Sequence, residues 1–175
     1  QPDLNWENEN LRKEIYEMIE WWIGIGVDGF RLDAITQLKK APWNYSSNNT
    51  WDLFTNVEGI EEYLKELKSI FQKHNIFIVG ESSGVSSQEA KSWTGKEGYF
   101  NSIMEWEHNY RIGIPGYQKS DVTFLKNTIS RWQNDLAETC GYGIYLENHD
   151  HPRAVSSFGD NSSESAKAFA MLMLG

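Results

Sequence analysis

The amino-acid sequence predicts an α/β fold, a partial TIM (β/α)8 barrel with about four parallel strands and flanking helices. Short apolar stretches alternate with longer segments of helical periodicity, and no repeat, linker or shift in composition separates them. Three of these stretches end abruptly in a carboxylate: GVDGFRLDAI (26–35) at Asp33, NIFIVGESSG (75–84) at Glu81 and GIYLENHDHPR (143–153) at Asp150. Acids at the C-terminal ends of successive parallel strands are where a barrel of this kind places its chemistry.

The elements follow in order. Asn8 or Asn10 caps a helix running to about residue 25, with Leu11, Ile15, Met18, Ile19 and Trp22 at helical spacing and Gly24 and Gly26 ending it. Trp21 and Trp22, in mid-helix, are expected to serve packing and not ligand binding. The first strand spans 27–32. A long loop, 36–58, carries Trp43, Tyr45 and Trp51, which read equally well as stacking faces for a ligand ring or as anchors for the loop. The helix 60–74 puts Ile60, Leu64, Leu67, Ile70 and Phe71 on one face and its charges on the other. Strand 76–80 is continuously apolar, as parallel strands buried on both sides are. A short helix (87–93), a strand (99–106), a helix capped by Asp121 (121–139), a strand (143–146) and a helix capped by Ser162 or Ser163 (164–174) complete the pattern.

In 26–35, Val27, Gly29, Arg31 and Asp33 share one side of the alternation, and Phe30 and Leu32 point the other way. Burying an Arg and an Asp together is expensive, because each charge loses water. Arg31 would keep Asp33 ionised, which suits a nucleophile or charge stabiliser and not an acid. A structural ion pair at a strand end is the competing reading, and alternation does not choose between them.

Composition narrows the function classes. A chain of 175 residues with 39% apolar and 14% aromatic residues can bury a core, yet a complete barrel takes about 250 residues. The sequence therefore reads as a single segment, 1–175, of a larger protein, and the absence of a signal peptide says nothing about secretion. A cytoplasmic location is the expectation carried forward. Net charge −9 argues against nucleic acid or an anionic membrane surface as partner and fits a neutral ligand such as sugar. No apolar run approaches the roughly 20 residues of a membrane span. The single Cys140 allows no internal disulfide and no cysteine-based zinc site, and no metal or cofactor is expected.

The order GFRLD, VGE, ENHD resembles the second, third and fourth conserved regions of the α-amylase superfamily of glycoside hydrolases. QPDLNWEN at 1–8, WTG at 93–95 and EWEH at 105–108 resemble its oligo-1,6-glucosidase and α-glucosidase branch. The resemblance implies that the strands are the fourth to seventh of the barrel, so that the chain is its C-terminal half. It implies a retaining mechanism, with two carboxyl groups about 5–5.5 Å apart. Asp33 is then the nucleophile, kept ionised by Arg31, and Glu81 the acid/base, its pKa raised by an apolar wall after Val79 and Gly80. Asp150 stabilises the oxocarbenium-like transition state, and His149 donates to the same ring. Strict alternation would part those two, so the strand must end before them. Arg153 is expected to pair with Asp150 or another acid near the site, a plain loop salt bridge being the alternative. His108 is a weaker candidate for lining the pocket. His151 stands where many relatives have Gln, and Glu81-Ser82-Ser83-Gly84 where many read EMPG. Ala34, directly after the nucleophile, implies a lean toward α-1,4 over α-1,6 linkages.

The implied partner is an α-gluco-oligosaccharide, with self-association of this segment through open barrel edges. Three strand-end acids could instead ligate magnesium, which Arg31 opposes by repelling the ion. Transglycosylation or sugar isomerisation would use the same residues. A non-catalytic binding subunit would not need all three carboxylates.

Overall fold

The computed structural model describes residues 3–109, 122–138 and 142–174. Asn8 starts the first helix by accepting from the amides of Asn10 (3.0 Å) and Leu11 (3.4 Å), two donors without intrahelical partners. Helix α1, Glu9–Gly24, ends where the Ile25 amide bonds back to Trp21 and Trp22 and Gly26 turns the chain at φ +102°. Its packed stripe is Ile15, Ile19 and Ile23, four residues apart, and it faces helix α2, Glu61–Lys73. Arg12 Nε (2.9 Å) and the Tyr16 hydroxyl (2.6 Å) both donate to Glu66 of α2. Trp21 and Trp22, expected to serve packing, pack on each other. They lie off that stripe, are exposed, and meet each other edge-on at 4.8 Å.

Strands β1 (Gly29–Leu32), β2 (Phe77–Glu81) and β3 (Ser102–Met104) form a parallel sheet in that order. Arg31 pairs with Val79, Leu32 with Gly80 and Glu81 with Met104. Helix α2 covers one face: Leu64, Leu67 and Phe71 are buried with Ile78 and Ile103, and Phe30 meets Phe71 at 5.5 Å. A Cβ at Gly80 would stand 3.1 Å from the Phe100 ring, so glycine lets that ring close under the strand end carrying Glu81. The short helix α3 is Ala90–Trp93, and Trp93 stacks on Phe100.

The expected fourth strand, 143–146, is reduced to a bridge between Ile103 and Tyr142, with the Gly143 amide donating to Ile103 O at 2.8 Å. Beyond it the Tyr145 carbonyl is taken by the His108 ring, and Leu146 turns into a second apolar cluster. That cluster joins Leu125 and Ile129 of helix α4, Val122–Asp135, to Ala154 of a short unforeseen helix α5, Ala154–Ser157, and to Phe158. Ser162 caps helix α6, Ser163–Leu174, as expected, accepting from Ser165 N at 3.1 Å. Asp121 and Cys140 lie outside the described residues.

The loop 36–58 is locally ordered. Single turns of 3-10 helix occupy Ile35–Gln37 and Thr50–Leu53, and Ser47 and Asn49 bond Asp52 at 2.6 and 2.8 Å. Trp43, Tyr45 and Trp51 are exposed on it. No helix among the described residues is long and apolar enough to cross a membrane.

Candidate active site

The sheet register sets the site. Leu32 lies opposite Gly80, so the next residues, Asp33 and Glu81, leave adjacent strand ends side by side. Arg31 stands between them: Nη1 donates to Asp33 Oδ1, and Nη2 reaches Glu81 Oε2 at 3.1 Å. Glu81 Oε2 also accepts from the Ala34 amide (3.0 Å), and Oε1 from the Trp106 indole N–H (2.8 Å). Ala34 aims its amide inward by adopting a left-handed backbone, φ 44° and ψ 38°, which is costly for any residue with a Cβ.

Two expectations change here. The Arg31–Asp33 pair is not buried, since the Asp33 side chain is 67% exposed. Glu81 is the buried partner at 4%, and it meets three polar donors in place of an apolar wall. The Arg31 hydrogen bond holds the Asp33 carboxyl below its usual range, against some burial; the Glu81 carboxyl and the field of His149 add smaller contributions.

His149 Nε2 lies 3.3 Å from Asp150 Oδ2. Both side chains are exposed on a turn held by Asn148 Oδ1, which accepts from Asp150 N (3.0 Å) and bonds His151 Nδ1 (2.6 Å). Strand geometry has ended before them, as alternation required. Arg153 does not reach Asp150. It pairs with Glu147 at 2.6 Å, because Glu147 also holds the Ala154 amide at 2.6 Å and so sits at the start of α5. His108 does not line an open pocket: it is fully buried, bonded to the Tyr142 hydroxyl (2.7 Å) and the Tyr145 carbonyl, and burial lowers its pKa.

Sequence reasoning passed over Trp106 and Glu105, and singled out His151 only as a departure from its relatives. Trp106, on the chain after β3, supplies a donor to Glu81. His151 sets its ring edge-on to Trp106 at 5.3 Å. Glu105 is buried, and burial pushes its pKa up to about 7. The signal for Trp106 was present: Met104 pairs with Glu81, and alternation returns to the same side two residues on.

Comparison with known proteins adds the lineage. The family model described as "Alpha amylase, catalytic domain" matches residues 1–175. The chain belongs to the alpha-amylase catalytic-domain family. "Probable oligo-1,6-glucosidase 3" of Bacillus subtilis (strain 168) is 39% identical over 183 residues, covering 97% of this chain and 33% of that protein. "Alpha-glucosidase" of Pediococcus pentosaceus is 35% identical over 175 residues, covering 92% and 31%. Among solved structures, trehalose-6-phosphate hydrolase of Bacillus licheniformis superposes with TM-score 0.84 at 31% identity, over 98% of this chain and 33% of that one. Isomaltulose synthase from Klebsiella sp. LX3 superposes with TM-score 0.88 at 25% identity, over 99% and 34%. This alpha-amylase-family chain thus spans about a third of the length of its relatives. The names of the oligo-1,6-glucosidases speak of α-1,6 linkages, so the α-1,4 lean drawn from Ala34 finds no support among them.

Proposed function

We propose that the protein to which this chain belongs is a retaining glycosidase acting on α-linked gluco-oligosaccharides. One observation carries the reading: Arg31 holds Asp33 and Glu81 together at the ends of two adjacent parallel strands, the one exposed and the other buried. In the first step an Asp33 oxygen attacks the anomeric carbon as the bond to the leaving oxygen breaks, and Glu81 gives that oxygen its proton. In the second, water attacks the glycosyl–Asp33 ester, its proton passes to Glu81, and the Asp33 carboxylate is released. Asp150 and His149, paired on the turn beyond, grip the sugar ring and face the developing positive charge. Arg31 also disfavours a metal-dependent alternative, since a guanidinium bonded to both carboxylates occupies the place of a cation.

The test is to trap the intermediate in the full-length enzyme with 5-fluoro-α-glucosyl fluoride and map the label by mass spectrometry. The label is expected on Asp33 and absent from Asp33→Asn; a label on another carboxylate refutes the assignment. A second reading, sugar isomerisation or transglycosylation, is favoured by the likeness to isomaltulose synthase. Product analysis with sucrose separates the two: glucose and fructose support hydrolysis, and a rearranged disaccharide supports isomerisation.

A further inference from the structure

We propose that Trp106 is a positioning residue for Glu81, braced by His151, and that its indole N–H orients the carboxyl group for proton transfer to the leaving oxygen. The inference rests on the glycosidase reading above and assigns a role within the same site. A carboxylate held through one oxygen can still swing about its side-chain torsions; one held through both cannot. Arg31 and the Ala34 amide both hold Oε2, and Trp106 Nε1 is the donor on Oε1, at 2.8 Å.

The chain around Trp106 is itself fixed. Glu105 is buried on one side and accepts from the Glu107 amide. On the other, Glu107 is clamped by Arg131 and by the Trp132 indole at 2.8 Å. The His151 ring closes on the indole edge-on, and Asn148 holds that ring through Nδ1 at 2.6 Å. The turn carrying His149 and Asp150 is thereby tied to the group that orients Glu81. A residue that only filled space here would need neither an N–H aimed at a carboxylate nor a backbone locked on both sides.

The experiment uses Trp106→Phe in the full-length enzyme, which keeps an aromatic ring and removes the donor. Turnover of maltose and isomaltose is compared with that of 2,4-dinitrophenyl α-glucoside, whose leaving group departs without a proton. Loss of one hydrogen bond to a charged group predicts a fall of about tenfold to a hundredfold in kcat/KM on the disaccharides. The activated substrate should stay within about threefold of wild type. An equal fall on all three substrates, or no fall on any, overturns the proposal. Should Trp106→Phe fail to fold by circular dichroism, His151→Ala decides it, with the same selective loss expected in weaker form and the same results against it. Glu81→Gln runs alongside and should show the selective loss most strongly. If Glu81→Gln is as fast as wild type on every substrate, the acid/base assignment itself falls, and the role of Trp106 with it.

Discussion

Glu105→Gln gives a quantitative test of the polar layer beneath the site. Glu105 is 6% exposed, and burial raises its pKa from 4.5 to about 7. Its hydrogen bond from the Glu107 amide opposes the rise, and the Glu107 charge adds to it. In the unfolded chain the group ionises near 4.5, whereas the folded protein retains the proton to about 7. Stability is therefore full below pH 4.5 and declines as pH rises toward and through 7. At about 1.4 kcal/mol per pH unit, the loss above pH 7 is on the order of 3 kcal/mol. Gln keeps the shape and the accepting oxygen but has no proton to lose. Denaturant unfolding of the full-length enzyme, wild type and variant, at pH 5, 6, 7 and 8 reads the difference. The variant should gain steadily on the wild type across that range, by about 2–3 kcal/mol at pH 8. Parallel pH profiles would show that Glu105 is ionised throughout or hydrated in the fold, and the burial argument would be wrong.

Two further outcomes are expected. Arg31→Gln removes the cation that depresses the Asp33 pKa, so the acid limb of the kcat/KM profile should move to higher pH as kcat falls by about a hundredfold or more; an unmoved acid limb would show that Arg31 does not set the nucleophile's charge. The 175-residue chain alone should self-associate and hydrolyse no aryl α-glucoside, because Trp21, Trp22, Ile25, Phe77 and the end of α6 leave apolar surface uncovered and the sheet keeps open edges. Size-exclusion chromatography with that assay checks both halves, and a monomer of ordinary activity would refute the expectation.

Much of the sheet was legible because local pattern decides it. Alternation in 26–35 placed Arg31 and Asp33 on one side, and the apolar run before Glu81 marked a strand buried by helix α2. The fourth strand was misread for a different reason. GIYL has every local mark of a strand, but it joins β3 through the Gly143 amide at an isolated bridge, and the His108 ring, 37 residues away, takes the Tyr145 carbonyl. Arg153 illustrates the same limit. Its choice of Glu147 over Asp150 depends on a turn built by Asn148 and on the first amide of α5. The surroundings of Glu81 were the least legible, because its donors are Arg31 and Ala34, far before it in the chain, and Trp106, 25 residues after it. The apolar strand ahead of Glu81 suggested an apolar wall, yet the groups that touch it come from β1 and from the chain just beyond β1 and β3.

Neighbouring placement also bears on stereochemistry. Adjacent parallel strands lie about 4.8 Å apart, and retention calls for two carboxyl groups about 5–5.5 Å apart, against about 6.5–9.5 Å for inversion. Asp33 and Glu81 follow the paired residues Leu32 and Gly80, so they leave neighbouring strand ends and share one guanidinium. Two acids so close repel, and the repulsion is relieved by a cation between them. Arg31, two residues before Asp33 on the same side of the strand, supplies it from within the register. Moving either acid to a non-adjacent strand would remove the shared guanidinium. On the retaining reading proposed above, the pairing of β1 with β2 is what sets the two acids on neighbouring strand ends.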